Sequence, residues 1–405
     1  MRRALAAALT LGALVSPASG AARSSTAQSS GAARAENAFA LSLLHGLGAG
    51  GNLVYSPYSI DLALTMSGAG AAGQTASQIA RVLGAPSPGA AVADAALLRR
   101  ELTQSVGSGA GAPTLEVANA LWTQSGLPLA QPFVTTLTSD FGAPPQSTNF
   151  ASSPAAALAA INSWVSSHTD SLIPAILGPG SITPQTAFVL ANAIYLKAHW
   201  EMPFEADLTQ PARFTTTDGT APEVPFMNQR ATRYSYASGG DYQAIELPYS
   251  SSSLSLLAIL PKAGSFDRFQ RSLNTSRLDS IIASLSPVSV NLAIPKLDLA
   301  TQTSLNSTLE KLGMTDAFTG GANFSAITTQ RRLYISLVEH AAVLKLDEQG
   351  TVAAGATVVV GPTAAVPVQT RTVNMVLNHP FLLFLRDNAS GAILFVARVA
   401  DPDQN

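Results

Sequence analysis

Apolar positions along this chain recur first with helical spacing and later with the alternation of strands. From Glu36 the residues Phe39, Leu41, Leu43 and Leu44 fall near one face, and Gly46 supplies a stop. After Ser56-Pro57, a pair that starts helices, Ile60, Leu62, Ala63, Leu64 and Met66 repeat that spacing. A third helical stretch, Ala155 to Ser167, carries Leu158, Ile161, Trp164 and Val165. Strand signals then dominate. Phe188 to Tyr195 is a near-continuous apolar run, as expected of a strand covered on both faces. Ala244 to Leu247 and Leu254 to Leu260 read as two strands joined by a Ser-rich turn, and Val288 to Ile294 and Leu333 to Leu346 alternate again. Pro380 to Leu385 and Ile393 to Val399 close the chain around the turn Asp387 to Gly391. Helices early, strands late and no repeating period together predict an α+β fold in one domain.

Composition narrows the function. With 47% hydrophobic residues the chain buries a sizeable core, while only 12% are charged and the formal net charge is −2. Lys and Arg are scattered, so no basic stripe points to nucleic acid or to a polyanionic polysaccharide cofactor. The pairs Arg99-Arg100 and Arg331-Arg332 read as solvated surface. Cysteine is absent, which excludes disulfides, thiolate metal sites and cysteine catalysis. The histidines (His45, His168, His199, His340, His379) lie far apart without an H-E-x-x-H pair, so no metal site is expected.

The first residues read as an export signal over 1–21. Arg2-Arg3 gives the positive start, Ala4 to Val15 the apolar run, and Ala18-Ser19-Gly20-Ala21 the small residues for cleavage. That run is shorter than the about 20 residues a membrane span needs. Residues 22–35, rich in Ser, Ala, Gly and Arg, read as a flexible leader. The mature protein is expected to be soluble and extracellular, or periplasmic in a Gram-negative cell. Abundant alanine, and arginine in excess of lysine, suit a GC-rich bacterial genome.

Two motifs invite a catalytic reading and do not sustain it. Gly68-Ala-Gly70-Ala-Ala-Gly73 has dinucleotide-binding spacing, but a helical segment precedes it where that motif needs a strand, so it reads as a helix-capping turn. No G-x-S-x-G nucleophile elbow occurs, so a serine hydrolase is the least supported reading.

One stretch carries a resemblance: His340-Ala-Ala-Val-Leu-Lys-Leu-Asp-Glu348-Gln-Gly350-Thr351-Val-Ala353-Ala354-Gly355-Ala356-Thr357. It resembles the segment leading into the reactive loop of serpins. Asn378-His379-Pro380-Phe381 to Arg386 and Ile393 to Val399 are similar to that family's C-terminal signature. Asn52 to Ile60 with Gly70 to Thr75, Asn192 to Trp200, and Glu246-Leu247-Pro248-Tyr249 are similar to its early helix and central strands. The blocks fall in the family's order over about residues 36–402. Two departures stand out: Ala397 where the family usually has Gly, and Thr169-Asp-Ser-Leu-Ile173, a surface turn, for Thr-x-Gly-Lys-Ile.

The resemblance implies a serpin fold, helices packed around three β-sheets with an exposed reactive-centre loop, here about residues 350–377. It implies no catalytic residue and no cofactor. It implies instead a suicide-type inhibitor of serine proteases, which forms a covalent complex when the cut loop inserts into the main sheet. The alternative is a non-inhibitory member whose loop is cleaved without trapping. Glu348, Gly350, Thr351, Ala353, Ala354, Gly355, Ala356 and Thr357 form the hinge, and none beyond Glu348 is charged, bulky or proline. By family spacing the scissile bond lies between Ala364 and Ala365, with Thr363 the alternative residue before it. Such small uncharged residues suit elastase-like or subtilisin-like proteases; Arg371 lies too far along for a trypsin-like one. Ser56, Ser59, Asn192 and His340 match the family's sheet-opening cluster, and Lys197 and Trp200 the region where the loop enters. The expected partner is the target protease, with no nucleic acid or membrane, and the protein a monomer.

Overall fold

The computed structural model describes residues 30–48, 50–106, 112–250, 252–351 and 372–403. The chain opens with α1 (Gly31–Gly46), β1 (Leu53–Tyr55), α2 (Pro57–Gly68), α3 (Gly73–Val82) and α4 (Pro88–Val106). Then come β2 (Thr114–Gln124), α5 (Gln131–Ser139), β3 (Gln146–Thr148), α6 (Pro154–Ser167) and β4 (Phe188–His199). Strands β5 (Gln210–Arg213), β6 (Glu223–Ser238), β7 (Tyr242–Pro248) and β8 (Leu254–Pro261) lead to α7 (Phe266–Ser272) and α8 (Thr275–Ala283). The remainder is β9 (Ser286–Pro295), β10 (Leu297–Ser304), α9 (Asn306–Leu312), β11 (Ile335–Leu346), β12 (Gly350–Thr351), β13 (Thr372–Val376), β14 (Phe381–Asp387) and β15 (Ile393–Val399).

A six-stranded sheet runs β10-β11-β12-β4-β2-β3, with β11 and β4 also paired directly and parallel. One face rests on the main core. On the other lies α6, whose Ala157, Ile161 and Val165 form a second, smaller apolar cluster with the strands below. Those strands meet the helix largely with alanines: Ala118 and Ala120 of β2, Ala191 and Ala193 of β4, and Ala341 of β11.

The other sheet has nine strands, ordered β1-β15-β14-β8-β7-β6-β9-β13 with β5 on β6. Its ladder slips between Gln229 and Thr232 of β6, where Ala231 takes φ 50°. Bulges bend and twist a strand. Here the bulge separates the first half of β6, which carries β5 on Glu223 to Phe226, from the second half, which carries β7 on Ser235 to Ser238. Apolar runs in β8, β14 and β15 are buried throughout, as expected of strands covered on both faces.

Several local expectations need correction. The leader does not extend to residue 35, because α1 begins at Gly31, with Ser30 Oγ accepting from Ala33 N at 3.2 Å. Ala32 and Ala33 are buried there; alanine packs closely yet adds little to an apolar periodicity. Helices are not confined to the first half either, since α7, α8 and α9 lie among the later strands. Gly68 to Gly73 forms the turn between α2 and α3, where a Cβ on Gly70 would lie 2.2 Å from Ile327 Cγ1. That glycine serves close packing. Ala397 sits in regular β15, opposite Val54 and Leu383. Asp170 and Ser171 are exposed in the turn after α6 but take φ 50° and 61°, the region a glycine would occupy without strain. The proposed signal, at residues 1–21, lies outside the described residues.

Candidate functional site

The seam between β11 and β4 is the centre of the site. The two strands pair from Ile335 opposite Phe188 up to Ala342 opposite Ile194, and beyond that rung they separate. Into the opening fits β12, antiparallel to both: Thr351 stands between Leu346 and Ala198, and Gly350 beside His199. The turn feeding it is tight. Asp347 N donates to Gly350 O at 2.9 Å, and Asp347 Oδ1 accepts from Gln349 N at 2.8 Å and Gly350 N at 3.1 Å. Aspartate favours such turns because its side chain bonds the backbone two residues on.

Hinge residues from both sides of this turn are held. Glu348 bonds Lys296 Nζ at 2.8 Å and Thr209 Oγ1 at 2.7 Å. Burial would raise the Glu348 carboxyl, but the hydrogen bonds from Lys296 and Thr209 outweigh it and hold its pKa below the usual value. Trp200 grips the main chain at two points, donating from N to Gln349 O at 2.9 Å and from Nε1 to Asp347 O at 3.0 Å. Its ring stacks on Tyr249 with centroids 4.6 Å apart, and the Tyr249 hydroxyl hydrogen-bonds Thr351 Oγ1. Thr351 is fully buried. Lys197 is not part of this grip: it faces the other side of β4 and pairs with Asp170 in the turn after α6.

Gly350 has no room for a side chain. A Cβ there would lie 1.9 Å from Ala198 O and 2.9 Å from both Ala198 C and His199 Cα, all backbone atoms fixed in β4. Gly350→Ala should therefore unseat β12. Hydrogen exchange at the Trp200 and Phe204 amides, which bond Gln349 O and Glu348 O, should accelerate about tenfold or more. Unchanged protection would mean that the strand tolerates the clash and the seating is looser than it looks.

Deeper along the same seam lies a buried polar cluster. Ser56 caps α2, its Oγ accepting from Ser59 N at 3.1 Å, which brings both serines under the sheet. His340 of β11 and Asn192 of β4 stand opposite each other in register. Ser56 N donates to His340 Nε2 at 3.1 Å, so Nδ1 carries the proton and donates to Asn192 Oδ1. Asn192 Nδ2 in turn donates to Ser59 O at 2.7 Å. All four residues are fully buried. Burial depresses the His340 pKa to about 3, so the ring is neutral. The His340–Asn192 bond thus ties β11 to β4 just before the last rung at which they pair, Ala342 opposite Ile194.

A fifth member went unread in the sequence. Asn119 of β2 faces Asn192 in register, and its Oδ1 accepts from Asn192 Nδ2. Asn119 Nδ2 donates to Ser59 O at 3.3 Å. The available signal was one polar residue inside the apolar run Val117 to Leu121. Of the other expected residues, Ala353, Ala354, Gly355, Ala356, Thr357, Thr363, Ala364 and Ala365 lie outside the described residues.

This geometry can be set beside known proteins. A family model described as serpin (serine protease inhibitor) matches residues 34–402. Iripin-2 of Ixodes ricinus is 34% identical, over 90% of this chain and 92% of its own length. Leukocyte elastase inhibitor of Xenopus tropicalis is 30% identical, over 87% and 93%. Among solved structures, the Manduca sexta serine protease inhibitor (serpin)-12 superposes with a TM-score of 0.80 at 27% identity, covering 92% of this chain and 99% of that one.

Proposed function

The chain belongs to the serpin family, whose members are in large measure protease inhibitors, and from that membership we propose that it is a secreted, monomeric suicide inhibitor of serine proteases. The observation that carries this reading is β12: Gly350 and Thr351 already occupy the first rung between strands that have separated to receive them. Continuing that strand, Ala353, Gly355 and Thr357 would follow Thr351 on one face and Val352, Ala354, Ala356 and Val358 would line the other. None is charged, large or proline, so nothing in the side chains obstructs rapid entry. Val358-Val359-Val360 adds strong strand preference.

The energy available supports trapping. A strand of about a dozen residues gains roughly one hydrogen bond per residue, each worth about 1 kcal/mol net, or on the order of 10 kcal/mol before packing. That sum is the free energy available to drive distortion of a captured acyl-enzyme. The protein supplies the bond and the protease supplies the nucleophile. Ala364, or Thr363, precedes the scissile bond in this reading and suits a shallow, apolar specificity pocket. The similarity to a relative named leukocyte elastase inhibitor points the same way.

The test mixes mature protein with pancreatic elastase and with subtilisin, followed by denaturing gels and intact mass. The expected product is a detergent-stable complex near the summed masses, with a C-terminal peptide released after Ala364 or Thr363. Cleavage in the loop by both enzymes with no such complex would sink the trapping mechanism and leave a non-inhibitory serpin.

A further inference from the structure

A cleft of about 700 Å³ opens where the second half of α4 meets the β7–β8 and β14–β15 turns. Glu101 and Ser105 line it from α4, Ser252 and Ser253 from the first turn, and Ala389 and Ser390 from the second. Its size falls within the range of small-molecule sites, roughly 300–1,000 Å³, but its chemistry is unlike that of an apolar pocket. Among the described residues its lining holds no cation, no aromatic ring and no long aliphatic side chain.

Hydrogen bonding behind the cleft decides what its surface offers. Asp387, the last residue of β14, is fully buried and draws three of the lining hydroxyls to itself. Ser105 Oγ donates to its Oδ2 at 3.1 Å, Ser390 Oγ to Oδ2 at 2.6 Å, and Ser253 Oγ to Oδ1. The Ser390 and Ala389 amides donate to the same carboxylate at 2.9 and 3.3 Å. A carboxylate only accepts, so it fixes the direction of every hydroxyl around it. With their protons turned to Asp387, the serine oxygens have only lone pairs left for the cleft. Glu101 adds a second acceptor. Its Oε2 is buried and bonded to nothing, and the residue forms no ion pair among the described residues. A buried carboxylate oxygen without a donor is costly and marks a place where a donor belongs.

We propose that this cleft binds a short aliphatic diamine, one ammonium on Glu101 and the other on the outward lone pairs of the serines around Asp387. An ammonium carries three N–H donors and no acceptor, which is the complement of a surface made of acceptors alone. The exposed methyl group of Ala389 is the carbon surface available to the spacer. A diamine seated here ties α4 to both turns of the nine-stranded sheet.

The probe is butane-1,4-diamine, compared with its hexamethyl bis-quaternary counterpart, which keeps both charges and the spacer but loses every N–H. Calorimetric titration of the full chain, at an ionic strength that screens non-specific attraction, should show one saturable diamine site per chain. The quaternary salt should bind at least about tenfold more weakly. Glu101→Gln should weaken the diamine about tenfold as well. Ala389→Lys, at an exposed position, supplies a tethered ammonium and should abolish diamine binding without lowering the thermal midpoint of the free protein. Absence of a saturable diamine site in the wild type, equal binding of the quaternary salt, or undiminished binding to either variant overturns the proposal.

Discussion

Replacing Thr351 with arginine should convert the protein from inhibitor to substrate. In the native state Thr351 is fully buried, with its hydroxyl bonded to Tyr249 beside the stacked Trp200 ring. An arginine there places a cation among aromatic rings, and the nearby carboxylate of Glu348 is already committed to Lys296 and Thr209. An unpaired charge costs several kcal/mol to bury, and each 1.4 kcal/mol slows a step about tenfold. Insertion should therefore slow by at least about a hundredfold against an unchanged rate of acyl hydrolysis. The stoichiometry of inhibition should rise from near one to above about ten molecules per protease, with the loop cut at the same bond. Thr351→Ser, which keeps the hydroxyl, should stay near wild type. If the arginine variant still traps its protease one for one, strand insertion through this position is not the mechanism.

His340→Asn should produce the second largest effect, and it should depend on pH. At neutral pH the variant orphans Ser56 N or Asn192 Oδ1 in a fully buried site, a loss of about 3 kcal/mol for two disrupted hydrogen bonds. The histidine's own contribution fades in acid. Its pKa is about 3 when folded and about 6.5 when unfolded, so between those values the unfolded chain binds a proton that the native one does not. Stability from this residue is complete above about pH 6.5 and falls by about 1.4 kcal/mol per pH unit below it. The gap between wild type and variant should thus close from pH 6.5 to about 4. Burial pushes Asp61 up to about 7 and raises Glu36 well above the usual carboxylate range, and both act in the opposite sense. They are common to both proteins and cancel in the difference. Denaturant unfolding at a series of pH values measures the gap; a constant gap would mean that the ring is protonated in the native cluster.

Much of the fold was legible because its decisive segments are strongly patterned. The apolar runs that became β4, β8, β14 and β15 are buried on both faces, which leaves little choice but strand. α4 was missed for the converse reason. Alanines supply most of its buried face, and alanine is too weakly apolar to mark a periodicity. β2 was missed because its alternation is short: Thr114 to Val117 alternates polar and apolar, but Ala118 and Ala120 around Asn119 are too weakly apolar to carry the period on to Leu121. The cluster of Ser56, Ser59, Asn192 and His340 was readable as a set of residues, but its closure through Asn119 needed the register of β2 on β4. The partners of Glu348 were equally beyond the sequence. Lys296 lies 52 positions away and Thr209 lies 139, and only the folded chain brings them to one carboxylate.

The alanines beneath α6 bear on friction. In the proposed mechanism a strand entering between β4 and β11 would pass under that helix, which would have to ride over it. Ridges formed by large side chains interlock with their grooves, and lifting one helix past another then forfeits many close contacts at once. Ala118, Ala120, Ala191, Ala193 and Ala341 offer the helix a shallow corrugation instead. Under the proposed insertion the sheet would be smooth where it is crossed and tightly bonded where it stays shut, so the latch and the track would be separate pieces of the same six strands.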